Sequence, residues 1–121
     1  TLSTNYGDFL RTAANTVAED SPELDKIDFR MDIFRAFTRG YLETAGAFLT
    51  PLEVSLLPYA AELFPYMQCV RFLWDYVSGD HYWKCQFAEH NLVRAQNQWQ
   101  LFLKAREHEA EMKEFIGECT R

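Results

Sequence analysis

The chain has 121 residues, enough for one domain, and 48% of them are hydrophobic, including ten Phe, six Tyr and three Trp. It carries 18 acidic and 12 basic residues, a formal charge of −6 at pH 7, which argues against a nucleic-acid or anionic-membrane surface. No run of about 18 apolar residues is present, so no transmembrane helix is expected.

The cysteines are three in number and scattered, at Cys69, Cys85 and Cys119. An odd number without a paired spacing favours a reduced, cytoplasmic protein over a disulfide framework. No signal peptide is visible, and the chain begins with Thr1 rather than Met, as expected for a piece of a longer protein.

The first helix is predicted to begin near Asn5, a plausible cap, and one apolar stripe follows it: Tyr6, Phe9, Leu10, Ala13 and Val17. Residues 18–28 are acidic with few apolar groups, which predicts a loop. These acids lack the alternating spacing and the Gly of a calcium loop, so a solvated surface is the better interpretation.

The second helix is predicted from about Met31 to Ala45, with a stop at Gly46. The run Thr50-Pro51-Leu52-Glu53 predicts a capping box with Pro at the first helical position. No strand is expected, because the only alternating piece, residues 27–30, is too short for a sheet.

Residues Pro58 to Ser78 predict a helix that is apolar nearly all round, and such a helix belongs in the middle of a fold. Gln68, Arg71 and Asp75 form one polar file within it. Arg71 and Asp75 are four residues apart and can meet on the helix surface. Two interpretations stay open: a structural ion pair, or the floor of a binding pocket.

The segment after this helix begins with a left-handed stop at Ser78-Gly79 and is dense in polar aromatic groups, so it is expected to face a cleft. The last helix is predicted from His90-Asn91, with Asn91 as its cap, to near Glu118. Because its apolar pattern thins after Leu103, its far end is expected to project or fray unless something docks there.

Catalytic and metal motifs are missing from the sequence. His108-Glu109-Ala110-Glu111-Met112 begins like a zinc-protease helix but has Met where the second His must stand. His81, Cys85 and His90 are close in sequence, yet no fourth ligand has regular spacing. There is no Gly-rich phosphate loop and no nucleophile elbow.

Five motifs, taken in order, together resemble the C-terminal helical part of the aminoglycoside and choline kinase-like phosphotransferases. The resemblance is greatest to the N-acetylhexosamine kinase branch, in which some relatives carry the label mucin desulfatase, and it runs to about Leu103. The motifs are Tyr6-Gly7-Asp8, Thr38-Arg39-Gly40-Tyr41-Leu42, Leu49-Thr50-Pro51-Leu52-Glu53, Arg71-Phe72-Leu73-x-Asp75-Tyr76-x-x-Gly79-Asp80-x-Tyr82-x-Lys84 and His90-Asn91-Leu92-x-Arg94.

The resemblance implies an all-α subdomain of four to five helices, spanning residues 1–121, from the C-terminal part of a protein-kinase-like fold. It implies that Arg71 and Tyr82 bind the sugar and that Asp75 holds the Arg71 guanidinium in place. Trp83 and His81 differ from the residues common in that family, which puts the sugar's identity in question. The family's catalytic loop is not found in this sequence.

The expected function is therefore acceptor binding for an ATP- and magnesium-dependent kinase of small molecules, with an amino sugar as substrate. ATP, Mg²⁺ and catalysis belong to upstream lobes of the same polypeptide, so this chain alone is expected to be inactive. A homodimer that hides the lobe-facing surface is a further expected partner. The alternative from another class is a stand-alone helical interaction module.

Overall fold

The computed structural model describes the backbone of residues 2–120 and the side chains from Asn5 to Thr120. Six α-helices follow one another: α1 (Leu2–Ala13), α2 (Met31–Ala45), α3 (Pro51–Ser55), α4 (Leu57–Ser78), α5 (His90–Glu107) and α6 (Glu109–Cys119). Two short 3₁₀ helices cover Leu24–Lys26 and Gly46–Phe48. Within residues 2–120 there is no strand, and one isolated bridge joins Asn15 to Phe29. The all-α prediction is confirmed, with six helices instead of four or five.

The core lies where α1, α2, the first half of α4, α5 and α6 meet. Its fully buried side chains include Tyr6, Leu10, Phe34, Leu57, Leu101 and Met112. Gly7 allows α1 to approach α4 closely, because a Cβ at this position would overlap the ring of Phe64. The hydroxyl of Tyr6 is satisfied within the core by Thr38 Oγ1 at 2.7 Å.

The helix-start motif at Thr50 forms as predicted, because its two capping partners are only three residues apart. Thr50 Oγ1 accepts a hydrogen bond from Glu53 N at 3.1 Å, and Glu53 Oε1 accepts one from Thr50 N at 2.9 Å. This is the predicted capping box, with Pro51 at the first helical position. The bounds of α2 are also as predicted, whereas α1 begins at Leu2 and so places Asn5 within the helix, not at its cap.

The prediction that the helix from Pro58 to Ser78 is buried on every side is wrong. Its first half enters the core through Leu57 and Ala61, but its second half exposes an apolar face, with Trp74 71% exposed. We call this surface the α4 face, formed by Met67, Val70, Leu73, Trp74 and Val77. Helices α1, α5 and α6 pack against α4, yet the five residues of the α4 face remain 43–71% exposed.

The last helix is not one continuous rod. It ends at Glu107, and a new helix, α6, begins at Glu109 after a break at His108. Met112, Phe115 and Ile116 are buried because α6 packs against α2, α3 and α4. The far end therefore docks on the fold and does not project: the few apolar residues after Leu103 are enough to bury one short helix.

No helix among the described residues is both long enough and apolar enough to cross a bilayer. All three cysteines are free thiols.

Candidate functional site

The left-handed stop at the end of α4 is present and positions the site. Gly79 has φ +104°, and its N–H donates to the carbonyl of Tyr76. Asp80, also left-handed at φ +61°, donates its N–H to the carbonyl of Asp75 at 2.8 Å. Two successive positive φ values reverse the chain sharply, so residues 81–83 return alongside the last turns of α4.

Asp75 holds this returning segment in place. Its Oδ1 accepts hydrogen bonds from the backbone N–H groups of His81 at 2.9 Å and Tyr82 at 2.8 Å. Its Oδ2 accepts from the Trp83 N–H at 3.1 Å and from Asn91 Nδ2 at 2.7 Å. Asp75 is 3% exposed. Burial alone would raise the pKa of its carboxyl, but these four donors outweigh burial and lower the pKa below its ordinary value.

The predicted contact between Arg71 and Asp75 is not formed. Within the described part of the chain, Arg71 makes no ion pair with Asp75, whose oxygens are taken by the loop and Asn91. The guanidinium carbon of Arg71 instead lies 5.2 Å from the ring centroid of Trp83 and 5.9 Å from that of Tyr82. Arg71 NH1 also donates weakly to Gln68 Oε1 at 3.4 Å. The site therefore contains neither an Arg71–Asp75 ion pair nor an Arg71 guanidinium held by Asp75.

Arg71 and Tyr82 nevertheless come together. They line an open pocket of about 540 Å³ with six other residues: Val70, Trp74, Asp75, Ser78, His81 and Trp83. Tyr82 is 73% exposed, and its ring meets that of Trp83 edge-on, with centroids 4.6 Å apart. The pocket thus joins guanidinium donors, a phenol hydroxyl and two indole rings.

Below the pocket, Phe72 and Arg94 anchor Trp83 and the loop. The ring of Phe72 is buried and lies 4.6 Å from that of Trp83. On its other side the Arg94 guanidinium carbon is 5.7 Å from the Phe72 ring centroid. Arg94 also donates to the carbonyl of Lys84 at 3.2 Å, so the segment after α4 is fixed at both ends.

Asn91 is the positioning residue that the sequence reasoning assigned wrongly. It lies inside α5 as a buried side chain, not at the cap, which is Glu89. Its Nδ2 donates to Asp75 Oδ2 and, at 3.1 Å, to Asp80 Oδ1, while its Oδ1 accepts from Arg94 NH1 at 2.9 Å. A buried amide on the inner face of a helix could have indicated this role, because such a group needs partners.

His90, a candidate metal ligand in the sequence, connects two loops through its two ring nitrogens. Its Nδ1 accepts from the Gln86 N–H at 3.2 Å, and its Nε2 lies 2.9 Å from Asp20 Oδ2. The hydrogen bond from His90 lowers the pKa of Asp20 below its ordinary value. Across residues 2–120, no three His, Cys, Asp or Glu side chains are grouped to hold a metal ion.

The pocket brings together groups that can bind and orient a ligand. Guanidinium and phenol groups supply several hydrogen-bond donors, and the indole rings supply flat apolar surfaces. No protein-family model matches the chain.

Proposed function

We propose that this chain is the acceptor-binding helical subdomain of an ATP-dependent small-molecule kinase of the cytoplasm that acts on an amino sugar. The family resemblance supplies the reaction class. The supporting observation is the position of Arg71, whose guanidinium lies beside the Tyr82 and Trp83 rings at the open pocket.

In this proposal Arg71 and Tyr82 contact the sugar directly. The Arg71 donors suit carbonyl and hydroxyl oxygens, such as those of an N-acetyl group and a sugar ring. Stacking on Trp83 restricts the guanidinium, so less freedom is lost when a ligand binds. Asp75 acts as a positioning residue, because it fixes the loop that carries Tyr82 and Trp83.

The chemical step belongs to other parts of the intact protein. Bound ATP and magnesium would supply the phosphoryl group and neutralise its charge. The residues of this chain bind the acceptor, orient it and keep water from one side of it.

The proposal is tested by titrating the 121-residue chain with N-acetylglucosamine and N-acetylgalactosamine, with glucose as the control sugar. Binding is followed by calorimetry and by the fluorescence of Trp74 and Trp83. We expect Arg71→Ala and Tyr82→Phe each to weaken binding by about 1–3 kcal/mol, the range for a lost hydrogen bond. Tyr59→Phe, on the same helix but outside this pocket, should bind as the wild type does.

A loss of stability without a loss of sugar affinity would indicate that Arg71 has a structural role. In that case Arg71→Ala would lower the melting temperature strongly while sugar affinity stayed at the wild-type value. With ATP, magnesium and a panel of hexosamines, the chain alone should release no ADP. Turnover that survives repurification would show that the phosphoryl-transfer machinery has been placed wrongly.

The second candidate function, a stand-alone interaction module, is favoured by the exposed α4 face. The two candidates differ in gene context. The kinase proposal requires an ATP lobe and a catalytic loop upstream in the same reading frame, about 200 residues or more for a two-lobed enzyme. An interaction module requires neither.

A further inference from the structure

A second cavity, on the opposite part of α4 from the Arg71 pocket, has a different chemical character. It encloses about 380 Å³ between the first half of α4 and the junction of α5 and α6. Its lining combines aromatic, acidic and basic side chains: Tyr59, Glu62, Leu63, Tyr66, Phe102, Arg106 and Glu109. Neither the sugar proposal nor the core packing uses this set.

Glu62 is the buried acid of this cavity. It is only 6% exposed, and its Oε2 is shielded from solvent without a hydrogen-bond partner. A buried carboxylate oxygen without a donor costs free energy, because it has lost its water and gained nothing in return. Because Glu62 also lines the cavity, a ligand that brings a donor to its carboxylate, preferably a charged one, would offset this cost.

The charges around Glu62 define what that ligand must carry. Glu109 on α6 adds a second carboxylate, and Arg106 on α5 adds a guanidinium. Lys113, also on α6, lies 3.8 Å from Glu109 Oε1 and so partly neutralises that acid. The cavity lining therefore carries both acidic and basic groups.

The remaining walls are aromatic. Tyr66 and Phe102 lie with ring centroids 5.4 Å apart, and Trp99 extends this group at 5.3 Å from Phe102. Tyr59 is an exposed ring at the cavity. Flat rings with partly exposed faces suit an aromatic group, through stacking and edge-to-face contacts.

From these features we infer that the cavity binds a free aromatic α-amino acid. Its ammonium group would donate to Glu62, with Glu109 beside it. Its carboxylate would pair with Arg106, and its ring would pack among Tyr59, Tyr66 and Phe102. A zwitterion can pair with both groups at once. An amine alone leaves the Arg106 guanidinium without a partner, and an acid alone leaves the Glu62 carboxylate without a donor.

Binding should depend on pH, because Glu62 must be ionised to pair with an ammonium group. Burial, and then the neighbouring Glu109 carboxylate, raise the pKa of Glu62 to about 7, against the opposing effects of Arg106 and Lys113. Affinity should therefore be higher at pH 8 than at pH 6.

The test is calorimetric titration of the 121-residue chain with L-phenylalanine at pH 8. Two comparison ligands each lack one charge: 2-phenylethylamine lacks the carboxylate, and 3-phenylpropionate lacks the ammonium. We expect each to bind about tenfold more weakly than L-phenylalanine, the usual loss for one charge-assisted hydrogen bond. N-acetylglucosamine should not compete, so this result is independent of the sugar proposal.

Two substitutions test separately which residue binds the ammonium group and which binds the carboxylate. Glu62→Gln should weaken L-phenylalanine binding about tenfold and remove both its pH dependence and its preference over 3-phenylpropionate. Arg106→Gln, at an exposed residue and so neutral for folding, should remove the preference over 2-phenylethylamine. Glu114→Gln, an exposed acid of α6 outside the cavity, is the matched control and should change nothing.

Three results would overturn the inference. One is no detectable binding of L-phenylalanine at millimolar concentration. Another is equal affinity for all three ligands, which would indicate simple apolar adsorption. The third is unchanged selectivity in Arg106→Gln, a result that stands even if Glu62→Gln does not fold.

Discussion

At the scale of single residues, Asp75 shows how one buried carboxylate builds a binding segment. It accepts hydrogen bonds from four donors, three from the backbone of residues 81–83 and one from Asn91. Because both oxygens are needed, an amide cannot replace the carboxylate: its NH₂ would face donors instead of acceptors. The order of the Tyr82–Trp83 segment therefore depends on the charge of Asp75.

We predict that Asp75→Asn loosens this segment while leaving the core intact. Hydrogen exchange at the amides of His81, Tyr82 and Trp83 should accelerate, and sugar binding should be lost with it. Amides in α1 and α2 should keep their protection. Asp25→Asn, at an exposed acid of the first long loop, serves as the control. Unchanged exchange at residues 81–83 in Asp75→Asn would contradict this role.

Glu62 gives a second prediction at the residue scale, concerning stability against pH. Its folded-state pKa of about 7 lies above its ordinary value of 4.5, so the folded chain holds this proton more tightly than the unfolded chain. Its contribution to stability is therefore fully present below about pH 4.5 and is lost as the pH rises towards 7.

Glu62→Gln removes this loss. Between pH 5 and pH 8 the free energy of unfolding of the variant should therefore rise relative to that of the wild type by about 1–2 kcal/mol, with solvent screening taken into account. Urea denaturation at a series of pH values measures the difference. A constant difference across this range would mean that Glu62 titrates normally. The Glu114→Gln variant should follow the wild-type curve.

At the scale of elements, α6 depends on very few side chains for its docking. Met112 is fully buried, and Phe115 and Ile116 lie beside it, while the rest of the helix is mostly polar. The break at His108 allows these three residues to face the core. Without them the helix is too short to be stable by itself.

We predict that Met112→Ala destabilises the fold by about 2–5 kcal/mol, the usual cost of a cavity in a packed core. Glu114→Ala, on the exposed side of the same helix, should shift stability by less than about 0.5 kcal/mol. Chemical denaturation followed by circular dichroism measures both. A similar small effect for the two substitutions would restore the earlier expectation of a projecting, frayed end.

At the scale of the whole molecule, the largest departure from a closed core is the α4 face. Met67, Val70, Trp74 and Val77 recur at the spacing of a helix–helix contact, yet each is more than 40% exposed. Arg71 is the one exposed charge between Leu63 and Ser78, since Asp75 is buried. A neutral apolar face in a chain of charge −6 favours association.

We therefore expect the 121-residue chain to self-associate through this face at micromolar concentration. Light scattering should give a dimer or a larger species, and Trp74→Ser should shift the distribution towards monomer. Because Trp74 is 71% exposed, this substitution should not lower the melting temperature. Phe48→Ser, at an exposed ring away from the face, is the matched control. A monomeric wild type at high concentration would contradict the expectation.

The sequence by itself determined the features that neighbouring residues control: the all-α class, the bounds of α2, the Thr50–Glu53 capping box and the left-handed stop at Gly79. The family resemblance also implied that Arg71 and Tyr82 share one site, and the two residues do line one pocket. Only the tertiary structure decided which side of α4 is covered, where α6 docks and which donors Asp75 accepts. Those outcomes depend on contacts between distant segments, such as Asp75 with Asn91 and Met112 with the core. Apolar periodicity gives the spacing of a face but not what packs against it.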